Sequence, residues 1–126
     1  KKIWSILADH YLREKKYAQA IKNYEKISKL EPKKASSWAA LGYAWLASGN
    51  PDKAIENYLQ ALKYDREDGE IYANLGIAYE KKGLYPEALK AYRSAYEINP
   101  ETRVASRIPR LRIQLLHKKD DKGSES

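Results

Sequence analysis

Apolar residues recur along this chain with the spacing of one helix face. In the clearest stretch they stand at intervals of three, one and three: Trp38, Leu41, Gly42 and Trp45. This spacing is typical of an α-helix, and a second apolar set from Ala54 to Leu62 predicts another. Between them lie Gly49 and Pro51, residues that end one helix and cannot continue it. The pattern predicts two helices joined by a short turn, the first capped by the hydroxyl of Ser36 or Ser37.

The same pattern occurs three times with a period of 34 residues. The matching positions are Trp4, Trp38 and Tyr72; Leu7, Leu41 and Leu75; Tyr11, Trp45 and Tyr79; and Tyr24, Tyr58 and Tyr92. A fixed period of this length indicates stacked copies of one helical unit. The sequence therefore predicts three repeats, at 1–34, 35–68 and 69–102.

Small residues also recur at fixed positions of the repeat. Ala8, Gly42 and Gly76 share one position, and Ala20, Ala54 and Ala88 share another. A glycine inside a helix costs about 1 kcal/mol relative to alanine. Its recurrence at one position predicts that two helices approach closely there.

These repeated positions resemble the tetratricopeptide repeat, over residues 1–102 of the chain. Arg66, where the family has proline, and Ile27, where it has a small residue, are mild departures. The resemblance implies an all-α fold, a right-handed α-α superhelix or solenoid of three antiparallel helix pairs. It also implies an interaction scaffold, not an enzyme, whose concave surface is lined by the first helix of each pair and binds a peptide or helix.

The chain departs from the repeat after Pro100. Val104, Ile108, Leu111 and Leu115 keep a helical spacing, but Pro109 interrupts it. Either a helix begins near Ser106 with Pro109 in its first turn, where proline is tolerated, or one kinked helix runs over 102–118. Both alternatives give a capping helix at about 103–117, so the repeat domain would span 1–117. The polar residues 118–126 predict a disordered tail.

The positive charge lies at the two ends of the chain. The formal net charge is +7, made of +6 in the first repeat, −2 and −1 in the second and third, and +4 from Arg103 onward. This distribution does not form one basic stripe. Contact of the basic ends with nucleic acid or an anionic membrane is an alternative function that this distribution does not favour, and such binding would show a steep dependence on salt.

Catalytic and metal-binding patterns are absent from the sequence. Cysteine does not occur, and the two histidines, His10 and His117, are far apart. No nucleophile motif, phosphate-binding loop or membrane-length apolar run is present. We expect no enzyme activity, no metal, no cofactor and no small-molecule substrate. Because the chain lacks methionine and begins in phase with its first repeat, we interpret it as a segment of a longer protein.

The resemblance also implies which residues line the concave surface. The candidate peptide-binding residues are Ile6, Asp9, Arg13, Tyr43, Ala47, Asn74, Ile77 and Lys81. Further concave positions of the family pattern hold Lys2, Ser5, Ser36, Ala40, Leu46 and Ala73. Repeats that grip a C-terminal carboxylate of chaperones use lysine, arginine and asparagine at five positions, which here hold Ser5, Asp9, Ala40, Glu70 and Asn74. None of these is a cation, so we expect no carboxylate clamp.

The predicted function is a protein–protein interaction scaffold that binds a partner's peptide or helix in the concave groove. The alternative is self-association, since the apolar outer face of the first helix, with Ile3 and Leu7, would lack a neighbour. Under this alternative, the partner is a second copy of the chain in a homo-oligomer.

Overall fold

The computed structural model describes residues 2–124, and the side chains of residues 2–118. Over this range the regular structure is helical. Seven helices follow one another: α1 (Lys2–Arg13), α2 (Tyr17–Leu30), α3 (Ala35–Ala47), α4 (Pro51–Leu62), α5 (Gly69–Lys81), α6 (Tyr85–Ile98) and α7 (Arg107–Ser124). The chain divides into two compact units, residues 1–66 and 67–126, which we call the N-terminal unit and the C-terminal unit.

The N-terminal unit contains α1–α4, with α1 packed on α2, α2 on α3, and α3 on α4. Turns of only a few residues join α1 to α2 and α3 to α4, so each pair is antiparallel. The buried cluster of α1–α3 consists of Ala8, Ala20, Ile21, Tyr24, Leu41 and Ala44, and aromatic residues such as Trp38 and Trp45 pack around it. Four of these residues, Ala8, Ala20, Tyr24 and Leu41, hold repeated positions of the sequence.

The small-residue positions bring the paired helices together as predicted. Ala8, Ala20, Ala54 and Ala88 are fully buried. A Cβ added to Gly42 would lie 3.1 Å from the ring of Tyr58, and one added to Gly76 would lie 2.5 Å from the ring of Tyr92. At both glycines the tyrosine ring of the second helix therefore packs directly on the backbone of the first.

The turns between paired helices use one backbone position with positive φ. Gly49 (φ 91°) and Gly83 (φ 78°) occupy it in the second and third repeats. In the first repeat the same position holds Lys15, whose φ is 59°. A left-handed conformation costs nothing for glycine and about 1–2 kcal/mol for other residues. Lys15 thus stores strain that its two counterparts avoid.

The predicted serine cap of α3 is wrong. The helix begins at Ala35, so that Ser36 and Ser37 lie in its first turn, and the preceding residue, Lys34, provides no side-chain cap. The Ser37 hydroxyl instead donates to Oε2 of Glu31 at 3.4 Å. Capping does occur at α4, where the side chain of Asn50 accepts a bond from the backbone N–H of Lys53 at 3.1 Å.

The C-terminal unit contains α5, α6 and α7. The α5–α6 pair repeats the earlier geometry, and α7 packs on α6. Its buried cluster includes Ala73, Tyr92, Ala95, Val104 and Leu111. Val104, in the turn before α7, and Leu111, within the helix, are both fully buried, so the segment after the third repeat is anchored at two points.

Helix α7 begins at Arg107 and has Pro109 as its third residue. This is the first of the two alternatives, because a proline in the first turn has no helical hydrogen bond to lose. The helix continues to Ser124, whereas the polar composition predicts a disordered tail over 118–126. Extension of an existing helix costs far less than nucleation, which accounts for the difference. Residues 125 and 126 of the predicted tail lie outside the described residues.

Candidate functional site

Five of the eight predicted binding residues belong to the N-terminal unit. Ile6 on α1 and Tyr43 on α3 are large apolar side chains that remain 58% and 47% exposed. Asp9 is exposed on α1, while Arg13 and Ala47 are exposed at the last positions of α1 and α3. These side chains therefore contribute little to the buried core.

A cavity of about 480 Å³ opens between α1, the end of α2 and the start of α3. We call it the inner pocket; its lining consists of Lys2, Ser5, Asp9, Tyr24, Ile27, Glu31, Lys34, Ser36, Ser37 and Ala40. Asp9 is the one candidate site residue among them. Four further lining residues hold concave positions of the family pattern: Lys2, Ser5, Ser36 and Ala40. The lining residues from α2 are not predicted by that pattern.

Two hydrogen-bonded carboxylates give the inner pocket its polarity. The hydroxyl of Tyr24 donates to Oδ1 of Asp9 at 2.6 Å. Glu31 accepts from Ser37 and lies 3.6 Å from the ammonium of Lys34. Burial raises the pKa of Tyr24, and the hydrogen bond to Asp9 and the charge of Asp9 raise it further. The phenol therefore stays protonated at neutral pH and fixes the orientation of the Asp9 carboxylate.

The remaining three predicted residues, Asn74, Ile77 and Lys81, lie on α5 in the C-terminal unit. Asn74 already has a partner, because Nη2 of Arg103 donates to its Oδ1 at 2.6 Å. The same Nη2 lies 3.2 Å from Oε2 of Glu70. Ile77 and Lys81 line a smaller cavity of about 220 Å³ together with Glu80 and Arg107.

Glu80 is the centre of a charge cluster between α5, α6 and α7. Its Oε1 accepts from the hydroxyl of Tyr92 at 2.8 Å and from Nη1 of Arg107 at 3.2 Å. Nη2 of Arg110 lies 3.5 Å from the other carboxylate oxygen. Burial and the bond to Glu80 raise the pKa of Tyr92, while Arg107 acts in the opposite direction. This cluster attaches α7 to the α5–α6 pair.

Sequence reasoning missed the pairing of the C-terminal arginines with α5. A signal was present: residues 67–80 contain four acidic side chains and no lysine or arginine, whereas four arginines occur over 103–112. Two further predicted concave positions, Leu46 and Ala73, are buried and contribute to packing.

Other kinds of site have no support in the part of the chain that the structure describes. Over these residues no group of three or more His, Asp or Glu side chains is placed to hold a metal ion. Likewise, among the described helices none is long and apolar enough to span a membrane. Three of the four arginines of the C-terminal segment, Arg103, Arg107 and Arg110, are paired with carboxylates of α5.

The fold is that of a helical repeat protein built of antiparallel helix pairs. Large side chains are exposed on the first helices of its pairs. The family model of the tetratricopeptide repeat matches residues 7–56 and 46–101. The chain belongs to this family, whose domains are typically protein-interaction scaffolds and not enzymes. Comparison with curated proteins gives no match.

Solved structures of tetratricopeptide domains share the fold. The first such domain of Spaghetti (RPAP3), bound to the HSP90 peptide SRMEEVD, has a TM-score of 0.86 and 19% identity over 90% of this chain and 91% of that chain. The second domain of human RPAP3, in complex with an HSP70 peptide, has a TM-score of 0.81 and 19% identity over 86% and 92%. A MamA mutant has a TM-score of 0.72 and 26% identity over 78% and 72%. These likenesses agree with the predicted fold class, the all-α solenoid of helix pairs.

Proposed function

We propose that this chain binds a segment of a partner protein against the first helices of its pairs. In the N-terminal unit the proposed site comprises the inner pocket and the adjacent exposed residues Ile6 and Tyr43. The observation that carries the proposal is the inner pocket itself, an open cavity of about 480 Å³ whose lining includes four concave positions besides Asp9. A cavity with a few oriented polar groups beside apolar surface suits a side chain of a partner.

Tyr43 supplies the apolar anchor of the proposed site. It follows Ala40, which lines the inner pocket, by three positions on α3, so the two side chains lie on one helix face. Aromatic residues that become buried on binding often carry most of the binding energy of an interface. We therefore assign apolar contact with the partner to Tyr43 and Ile6, and polar contact to Asp9.

In the C-terminal unit we propose partner contacts at Asn74, Ile77 and Lys81. Ile77 is half-buried beside the small cavity, and Lys81 is exposed at the end of α5. Arg13 and Ala47, exposed at the ends of α1 and α3, complete the proposed binding residues.

A peptide selected from a library on the wild-type chain tests the site in the N-terminal unit. We expect Tyr43→Ala to weaken binding of that peptide at least tenfold, as is usual for an aromatic anchor. Tyr96→Ala is the matched control, because Tyr96 is also 47% exposed but lies on α6, a second helix of a pair. Both variants should melt within a few degrees of the wild type.

Two results would contradict this site. Equal binding by Tyr43→Ala and the wild type would remove Tyr43 from it. A fall in the melting temperature of many degrees would show that Tyr43 belongs to the core.

A second candidate function, self-association, is favoured by the outer face of α1. Ile3 and Leu7 are 70% and 38% exposed, whereas the residues at the same positions of α3, Ser37 and Leu41, are 5% and 4% exposed. Helix α2 packs on α3 within the same unit, so the corresponding face of α1 is suited to a helix. Light scattering over a range of concentrations tests this proposal. A molar mass that rises with concentration, and that is lower for Ile3→Lys, supports self-association. A chain that stays monomeric at every concentration rules it out.

A further inference from the structure

The start of α5 is an acidic surface on which an arginine of the same chain rests. Asp68 caps the helix, Glu70 follows in its first turn, and Asn74 lies four positions later on the same face. The guanidinium of Arg103 bridges Glu70 and Asn74, at 3.2 and 2.6 Å from one nitrogen. A carboxylate and an amide oxygen thus hold one cation between them.

This arginine contact is open to solvent, unlike the Glu80 cluster. The side chains of Arg103 and Glu70 are 50% and 62% exposed, whereas that of Glu80 is 22% exposed and has three donors around it. The next residue, Val104, is fully buried and fixes the backbone. The side chain of Arg103 can therefore leave Glu70 and Asn74 without undocking α7.

We propose that Glu70 and Asn74 form a subsite for an arginine side chain of a partner protein, and that Arg103 is the internal occupant which the partner's arginine replaces. The charge at the start of α5 supports such a ligand, because Asp68 and Glu70 are both acidic there, whereas Glu80, farther along the helix, is already paired with Arg107 and Arg110. The subsite shares Asn74 with the partner contacts proposed for the C-terminal unit, so the inference rests on that part of the proposed function and does not involve the inner pocket.

Hydration favours arginine over lysine at this subsite. One guanidinium nitrogen of Arg103 meets both oxygens, and a guanidinium is more weakly hydrated than an ammonium, so it gives up water at lower cost when it binds there. A lysine ammonium is a compact and strongly hydrated charge. Exposed pairs of this kind shift an equilibrium only severalfold, so an internal occupant of this strength is readily exchanged.

The test uses the full chain and the capped peptide GRGSGRG, with GKGSGKG and GQGSGQG as controls. We expect Arg103→Gln to bind GRGSGRG about fivefold more tightly than the wild type, because the competing occupant is removed. The lysine peptide should bind more weakly than the arginine peptide, and the glutamine peptide should not bind. Binding should weaken as salt is raised, since the contact is exposed.

Further variants locate the subsite. Adding Glu70→Gln and Asn74→Ala to Arg103→Gln should abolish the gain, and the side-chain amide resonances of Asn74 should shift when GRGSGRG binds to Arg103→Gln. Arg112→Ala is the matched control, because Arg112 is an exposed arginine of the same segment. It should leave binding of GRGSGRG as in the wild type.

Equal binding of GRGSGRG by Arg103→Gln and the wild type would overturn the proposal. A gain that survives the changes at Glu70 and Asn74, or one that Arg112→Ala reproduces, would overturn it as well. Thermal melts of each variant confirm that the fold is intact, and binding is compared below the lowest melting temperature.

Discussion

Replacement of Gly76 by alanine provides a sharp test of helix packing in this chain. The added Cβ would lie 2.5 Å from Cδ1 and Cε1 of Tyr92, whereas carbon atoms in contact stay about 3.5–4 Å apart. Tyr92 is fully buried and its hydroxyl donates to Glu80, so the ring cannot turn outward without losing that bond. The helix and the ring must therefore separate by about 1 Å.

Three effects determine how much stability Gly76→Ala loses. Alanine gains about 1 kcal/mol over glycine in a helix, and overpacking of a core typically costs about 1–3 kcal/mol. Loss of the bond from Tyr92 to Glu80 adds to the cost, because a hydrogen bond to a charged group contributes about 1.5–3 kcal/mol. We expect Gly76→Ala to lose about 1.5–5 kcal/mol of stability. For a chain of this length such a loss lowers Tm by about 5–25 °C.

Gly42→Ala is the matched control, measured in the same urea and thermal denaturation series. Its Cβ would lie 3.1 Å from the ring of Tyr58, a contact that a small shift relieves. The first repeat already carries alanine at this position, where Ala8 shares a cluster with Tyr24. We expect Gly42→Ala to change stability by less than about 1 kcal/mol. If Gly76→Ala is as stable as the wild type, or if Gly42→Ala loses more stability than Gly76→Ala, this account of the packing is wrong.

Three further predictions follow from local features. Lys15→Gly should raise stability by about 0.5–1 kcal/mol in urea denaturation, because relief of the left-handed strain exceeds the entropy that glycine adds to the unfolded chain; an unchanged or lower midpoint would contradict it. The pKa of Tyr24 is raised in the folded chain, so the stability that this tyrosine contributes is complete below about pH 10, the pKa of tyrosine in the unfolded chain, and is lost as the pH rises above it. Tyr24→Phe should therefore reduce the fall in unfolding free energy between pH 10 and 11 by about 1 kcal/mol. Parallel curves of stability against pH for the variant and the wild type would refute this. The peptide SRMEEVD, which the first domain of Spaghetti binds, should show no saturable binding to this chain by calorimetry, because the five clamp positions hold no cation; micromolar affinity would overturn that reading.

Much of the fold follows from the sequence because its determinants are local and repeated. The helix pairs, the turn at Gly49 and the close contacts at the small residues all follow from the spacing of the sequence. The serine cap failed because several residues at the start of α3 could begin the helix, and Ser37 bonds to Glu31 instead. The C-terminal limit of α7 also differs, because a helix already docked through Leu111 extends at little cost, whatever the polarity of the residues that follow.

The candidate site was less predictable than the fold. Exposure of Ile6, Asp9 and Tyr43 agrees with the family pattern, whereas their role in binding remains a proposal. The inner pocket depends on how the end of α2 meets α1 and α3, which no single helix pattern encodes. The partners of Glu70 and Glu80 come from the segment after the repeats, where no period guides the alignment.

The sequence by itself determined the repeat, the helix pairs and the family, because a 34-residue period repeats the same local interactions in each copy. The tertiary structure alone decided how the positive C-terminal segment is used. Arg103 meets Glu70 across 33 positions of the chain, and Arg107 meets Glu80 across 27. Contacts over such separations depend on the packing of α7, and for that reason the charge pattern indicated attraction but not which side chains would pair.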